Sequence, residues 1–148
     1  MDSSGSIDCI PTKSASLPAD PRAKKILVVD DEDPVRELIS YVLDSHGYRV
    51  FSARHAREAL FLNAGFPGTF HLLVTDICMH PHEDGFVLAR ALRCDRPDLR
   101  VIFASGYVEP ERLQREVDGT GGMFLPKPFT PAALLDAVQR SLITASPA

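Results

Sequence analysis

Four short apolar runs punctuate the chain, and each ends abruptly on a polar head group. Ile26-Leu27-Val28-Val29 runs into Asp30-Asp31, and Leu72-Leu73-Val74-Thr75 into Asp76. Val101-Ile102-Phe103-Ala104 ends on Ser105, and Met123-Phe124-Leu125-Pro126 on Lys127. Runs this short, without strict alternation, predict strands buried on both faces of a parallel sheet. A fifth strand, Tyr48 to Ala53, alternates more clearly. Between the runs the apolar spacing changes to that of helices. Val35, Leu38, Ile39, Val42 and Leu43 mark the first helix, and Asp33-Pro34 reads as its N-cap followed by proline at the first helical position. Gly47 closes it. Ala56, Ala59 and Leu60 mark a second helix, stopped by Gly65 and Pro67. Phe86, Val87, Ala89 and Leu92 mark a third. Pro110 opens a fourth, polar helix with only Leu113 and Val117 to anchor it, ended by Gly119, Gly121 and Gly122. Thr130-Pro131 begins a fifth, whose Leu134, Leu135, Val138 and Leu142 face the core.

Five rounds of strand then helix predict a three-layer α/β sandwich with right-handed crossovers. The 148 residues suffice for one domain. Residues 1–23, rich in Ser, Ala, Pro and Asp, read as a disordered leader. The domain spans 24–143, and 144–148 form a short tail. The net charge of −4 argues against direct nucleic-acid binding. No apolar run is long enough to span a membrane, and the first residues lack a secretory h-region. Cys9, Cys78 and Cys94 are too widely spaced for a zinc pattern and read as reduced thiols in a cytoplasmic protein.

Ligands of open α/β sheets bind beyond the carboxyl ends of the strands. Asp30, Asp31 and Asp76, the Ser105 hydroxyl and the Lys127 ammonium therefore meet at one edge. Three carboxylates repel one another unless a cation sits among them, and hard oxygen donors suit Mg²⁺. Asp76 reads as a nucleophile toward phosphorus, with Lys127 and the ion neutralising the phosphoryl oxygens. Pro126 and Pro128 stiffen the backbone around Lys127.

Taken in order and spacing, Ile26–Glu32, Leu73–Asp76, Val101–Gly106 and Phe124–Phe129 resemble the receiver domain of two-component response regulators, across about residues 24 to 143. The resemblance implies a flavodoxin-like strand order 2-1-3-4-5. It implies that Asp76 is the phosphoacceptor, that Asp30 and Asp31 hold Mg²⁺, and that the backbone carbonyl of Cys78 completes the metal shell. Ser105 becomes the switch hydroxyl, Phe124 the aromatic switch residue, and Lys127-Pro128 a cis bond. A histidine kinase or phosphotransfer protein would be the donor. Output would pass to a downstream protein through the face of the fourth helix, fifth strand and fifth helix, as in a stand-alone chemotaxis-type regulator, or by relay to another histidine. Cys78 and Tyr107 would line the approach of water to the acyl phosphate.

One departure stands out. The family places a glycine eight residues after the phosphoacceptor, whereas Gly85 lies nine residues after Asp76, with His80 as the extra residue. His80, His82 and Glu83 also raise a transition-metal reading, and Cys78 a redox-sensor one. Two further alternatives are a small Mg²⁺-dependent phosphatase of the haloacid dehalogenase type, since Asp31-Glu32-Asp33 fits its Asp-x-Asp pattern, and a degenerate receiver that acts only as a binding module.

Overall fold

The computed structural model describes residues 23–65, 69–79, 83–106 and 108–144. The expected leader 1–23, apart from its last residue, and the expected tail 144–148, apart from its first, lie outside these residues, as do His80, His82 and Tyr107. Five parallel strands form one sheet: β1 (Lys25–Val29), β2 (Arg49–Ala53), β3 (Leu72–Asp76), β4 (Arg100–Ser105) and β5 (Met123–Pro126). Their spatial order is β2-β1-β3-β4-β5, so the fold is the expected flavodoxin-like one. β3 is central, and all five of its residues are buried. Four helices connect the strands, α1 (Asp33–Ser45), α2 (Ala56–Gly65), α3 (Gly85–Asp95) and α4 (Pro110–Thr120), and α5 (Pro131–Thr144) follows β5.

Strand side chains alternate between two apolar layers. Leu27, Val29, Leu73, Val101 and Phe103 pack with Ala59 of α2 and with Phe86, Ala89 and Leu92 of α3. Ile26, Val28, Leu72, Val74 and Ile102 pack on the other side with Ile39 and Leu43 of α1 and with Leu134 and Val138 of α5. Among the described residues no helix is long and apolar enough to cross a membrane.

Local signals set most helix ends. Gly47 takes the left-handed conformation (φ 93°) that turns the chain into β2. Gly121 (φ 67°) closes α4. Thr130 Oγ1 accepts the Ala133 N–H at 3.0 Å, as its place before Pro131 predicts. The start of α1 departs from expectation. Glu32, not Asp33, holds the cap position and makes no side-chain cap bond, while Asp33 and Pro34 are already helical. The reason is a competing partner: the Asp33 carboxylate pairs with Arg36 one turn on, at 2.5 Å. α4 is the weakly anchored helix the pattern implies, with Thr120 its one buried residue and Leu113 and Val117 only half-buried.

Candidate functional site

The carboxyl ends of β1, β3, β4 and β5 converge on an open cleft of about 450 Å³, lined by Asp31, Glu32, Asp76, Cys78, Ser105, Gly106 and Lys127. Asp30 follows β1 directly. It is almost fully buried, and its Oδ1 accepts the Glu32 N–H at 2.9 Å. Its carbonyl is held by Arg36 Nη1 at 2.8 Å. Asp76 ends β3, with Oδ1 accepting the Ile77 N–H at 2.7 Å. Asp30, Asp31 and Asp76 each bring a carboxylate oxygen within 4.8 Å of the others. An all-oxygen set around a half-open pocket fits Mg²⁺, which keeps several of its waters.

Lys127 arrives from the turn after β5. Its backbone N–H donates to the Ser105 carbonyl at 2.9 Å, which ties the two strand ends together, and its bond to Pro128 is cis. Lys127 Nζ donates to Asp30 Oδ2 at 2.9 Å, Glu32 Oε1 at 3.3 Å and Asp76 Oδ2 at 3.4 Å. Ser105 is buried at the end of β4. Phe124 is half-buried beside the Phe86–Phe103 layer.

Burial raises the Asp76 carboxyl above its ordinary value; the Lys127 charge pulls it back and the Asp30 charge pushes it further up. Burial alone would lower Lys127, but its hydrogen bond to Asp30 and the charges of Asp30 and Asp76 hold it above the ordinary lysine value. Folding therefore disfavours the ionised form of Asp76. Asp76→Asn is expected to raise the Tm of the metal-free protein near neutral pH. The gain should fade as pH falls toward the ordinary carboxyl value of 3.8 and be gone below it. Thermal melts across that range check this, and a gain that persists in acid would contradict it.

Other expectations meet the structure unevenly. Asp33 is two-thirds exposed and engaged by Arg36, so of the Asp31-Glu32-Asp33 pattern only Asp31 and Glu32 line the cleft, and the Asp-x-Asp pair is not brought together there. His80 and His82 lie outside the described residues, and Glu83 Oε1 accepts the Ala56 N–H at 2.5 Å. Cys78 lines the cleft with an exposed side chain, and Cys94 is a free thiol on α3. Gly85 seats directly against the end of β3. Its N–H donates to the Ile77 carbonyl at 2.7 Å, and a Cβ there would fall on the Asp76 carbonyl oxygen. Upstream of Gly85, Cys78–Met79 pairs antiparallel with Glu83–Asp84. Arg36 and Glu32 are site-shaping residues that motif reading did not single out. The Asp-to-Arg spacing at the start of α1 was the available signal for Arg36.

A doubly wound parallel sheet with acidic groups and a lysine at its carboxyl edge defines an α/β class with a charged site at the strand ends. Comparison narrows it. The response regulator receiver domain model matches residues 26–139, and the chain belongs to that family. It is 38% identical over 117 residues to the sensor kinase CckA of Brucella abortus, covering 79% of this chain and 12% of that protein. It is 34% identical over 122 residues to the transcriptional regulatory protein FixJ of Azorhizobium caulinodans, covering 82% and 56%. The chain therefore spans only part of the length of both relatives. Among solved structures, the chemotaxis protein CheY4 of Vibrio cholerae superposes with a TM-score of 0.72 at 31% identity, covering 81% of this chain and 99% of that one. The receiver domain from the hybrid histidine kinase CckA gives 0.69 at 36%, covering 80% and 98%.

Proposed function

We propose that this receiver domain is a phosphoacceptor switch, with Asp76 as the acceptor. The observation that carries the reading is Lys127 Nζ, held between Asp30 Oδ2 and Asp76 Oδ2 above three converging carboxylates. The donor is the phosphohistidine of a histidine kinase or phosphotransfer protein. A carboxylate oxygen of Asp76 bonds to phosphorus as the phosphorus–nitrogen bond breaks, leaving an acyl phosphate on Asp76 and a neutral imidazole on the donor once it takes up a proton. Asp30, Asp31, Asp76 and the Cys78 carbonyl would hold Mg²⁺, which neutralises charge on the phosphoryl oxygens. Lys127 neutralises it from the other side. The Ser105 hydroxyl donates to a phosphoryl oxygen and moves toward it, which leaves room for Phe124 to turn inward. The weak anchoring of α4 supports an output face formed by α4, β5 and α5. Phosphorylation of Asp76 shifts a pre-existing equilibrium of that face rather than building a new state. Output passes to a partner protein, or onward by relay, in the cytoplasm.

The test is incubation with acetyl phosphate or phosphoramidate, with and without Mg²⁺, followed by intact and peptide mass spectrometry. One labile adduct of about 80 Da, dependent on Mg²⁺ and located on Asp76, is expected. Turnover of many equivalents that depends on Asp31 would make the protein a phosphatase. No adduct in the presence of Mg²⁺ would make it a binding module.

A further inference from the structure

The segment after Asp76 is braced by contacts that its chemistry alone does not require. Cys78 lies opposite Asp84 in the short antiparallel pair. Asp84 divides its two carboxylate oxygens. Oδ1 accepts the Phe86 N–H at 2.7 Å and caps α3, while Oδ2 meets the guanidinium of Arg112 on α4. Arg112 also sits over the Phe86 ring, 4.7 Å from its centroid. That ring meets Phe103 edge-on at 4.8 Å, two residues before Ser105. One further ion pair, Arg90 to Glu116 at 2.5 Å, joins α4 to α3.

We propose that Arg112 is a positioning residue for the Asp76 site and the clasp through which that site and α4 sense each other. The inference rests on the phosphoacceptor reading. Asp84 fixes the partner strand of Cys78, whose carbonyl would join the metal shell on that reading. With Arg112 in place, Asp84 is held on both sides and the carbonyl keeps its position. Without it, the Asp84 carboxylate is held only by the Phe86 N–H of α3, and the Cys78 carbonyl is free to drift. The effect runs both ways: an ion that fixes Cys78 also fixes Asp84, Arg112 and α4, since coupling between two sites is reciprocal. The pair is partly exposed, with side chains 39% and 29% accessible, so it adds little to the stability of the fold. Partners that orient a metal ligand have larger effects on metal affinity, commonly about 10- to 100-fold.

The experiment is calorimetric titration of Mg²⁺ alone into the full chain, for wild type, Arg112→Gln, Arg112→Lys, Asp84→Asn and the Arg112→Gln/Asp84→Asn double variant. Amide hydrogen exchange of α4 is read with and without Mg²⁺. Asparagine can still accept the Phe86 N–H, so the α3 cap survives. Arg112→Gln should weaken Mg²⁺ binding about tenfold with the Tm nearly unchanged, and Arg112→Lys should fall between it and wild type. The double variant should be no weaker than the singles, because both act on one path. Mg²⁺ should slow α4 exchange in wild type and not in Arg112→Gln. Unchanged affinity in Arg112→Gln, or in Arg112→Lys should glutamine cost the fold, overturns the inference alone. So does α4 exchange that ignores Mg²⁺ in wild type. Wild type that binds no Mg²⁺ overturns it together with the reading beneath it.

Discussion

Gly85→Ala should unfold the domain at temperatures the parent tolerates. The glycine is buried at the first position of α3, and its N–H is bonded to the Ile77 carbonyl. A methyl group at this position would collide with the Asp76 carbonyl oxygen and crowd the Ile77 Cα. Both obstacles are backbone atoms of the central strand and its turn, so neither can swing aside as a flexible side chain would. Relief requires the start of α3 to back away from the end of β3. That would pull Phe86 out of a layer where it is fully buried against Phe103. Overpacking against backbone with loss of such contacts costs about 3 kcal/mol or more. In a domain of this size that is a Tm decrease of roughly 10 °C or more. Gly119→Ala is the control. This glycine lies inside α4 with nothing within 4 Å of the added carbon, so alanine should be neutral or stabilising by up to about 1 kcal/mol. Equal melting of the two variants would show that Gly85 is not the wedge point described.

Lys127→Ala should slow phosphorylation by a small-molecule donor about 100- to 1,000-fold, the usual effect of deleting one group that stabilises charge in a transition state. It should not abolish Mg²⁺ binding. The ammonium contacts Asp30 and Asp76 from the side, and its removal leaves the carboxylate cluster more negative for the ion. The variant should also be less stable without metal, because buried Asp30 loses its counter-charge, and adding Mg²⁺ should restore part of the loss. Lys127 sits above its ordinary value of 10.5, so its contribution to stability is complete below that pH and disappears only as pH rises through the raised value. Phosphorylation kinetics and Mg²⁺ titration of the same preparation separate the two effects. Undiminished phosphorylation would remove Lys127 from the chemistry.

The sheet was legible because burial on both faces leaves a strong mark: Leu72 to Thr75 and Val101 to Ala104 have no polar face to confuse with loop. The strand ends then located the acidic groups, the hydroxyl and the lysine, since topology alone brings carboxyl ends together. Misreading began where two local partners competed for one side chain. Asp33 before Pro34 has the composition of a cap, yet Arg36 lies one turn away and captures it. Contacts between distant segments were invisible for a different reason. Arg112 and Asp84 are 28 residues apart, and no periodicity connects a cap on α3 with a polar position on α4. Spacing from Asp76 counts residues, whereas the docking of Gly85 depends on where the glycine lands, against the Asp76 carbonyl.

The crowding of Asp30, Asp31 and Asp76 sets a ceiling on how robust this sequence can become. On the proposed reading, any change that relaxed the crowd would remove the reason for an ion, and after it a phosphoryl group, to settle there. The hardiest version of the chain would be a mute one, and some fragility is inseparable from its capacity to carry a message.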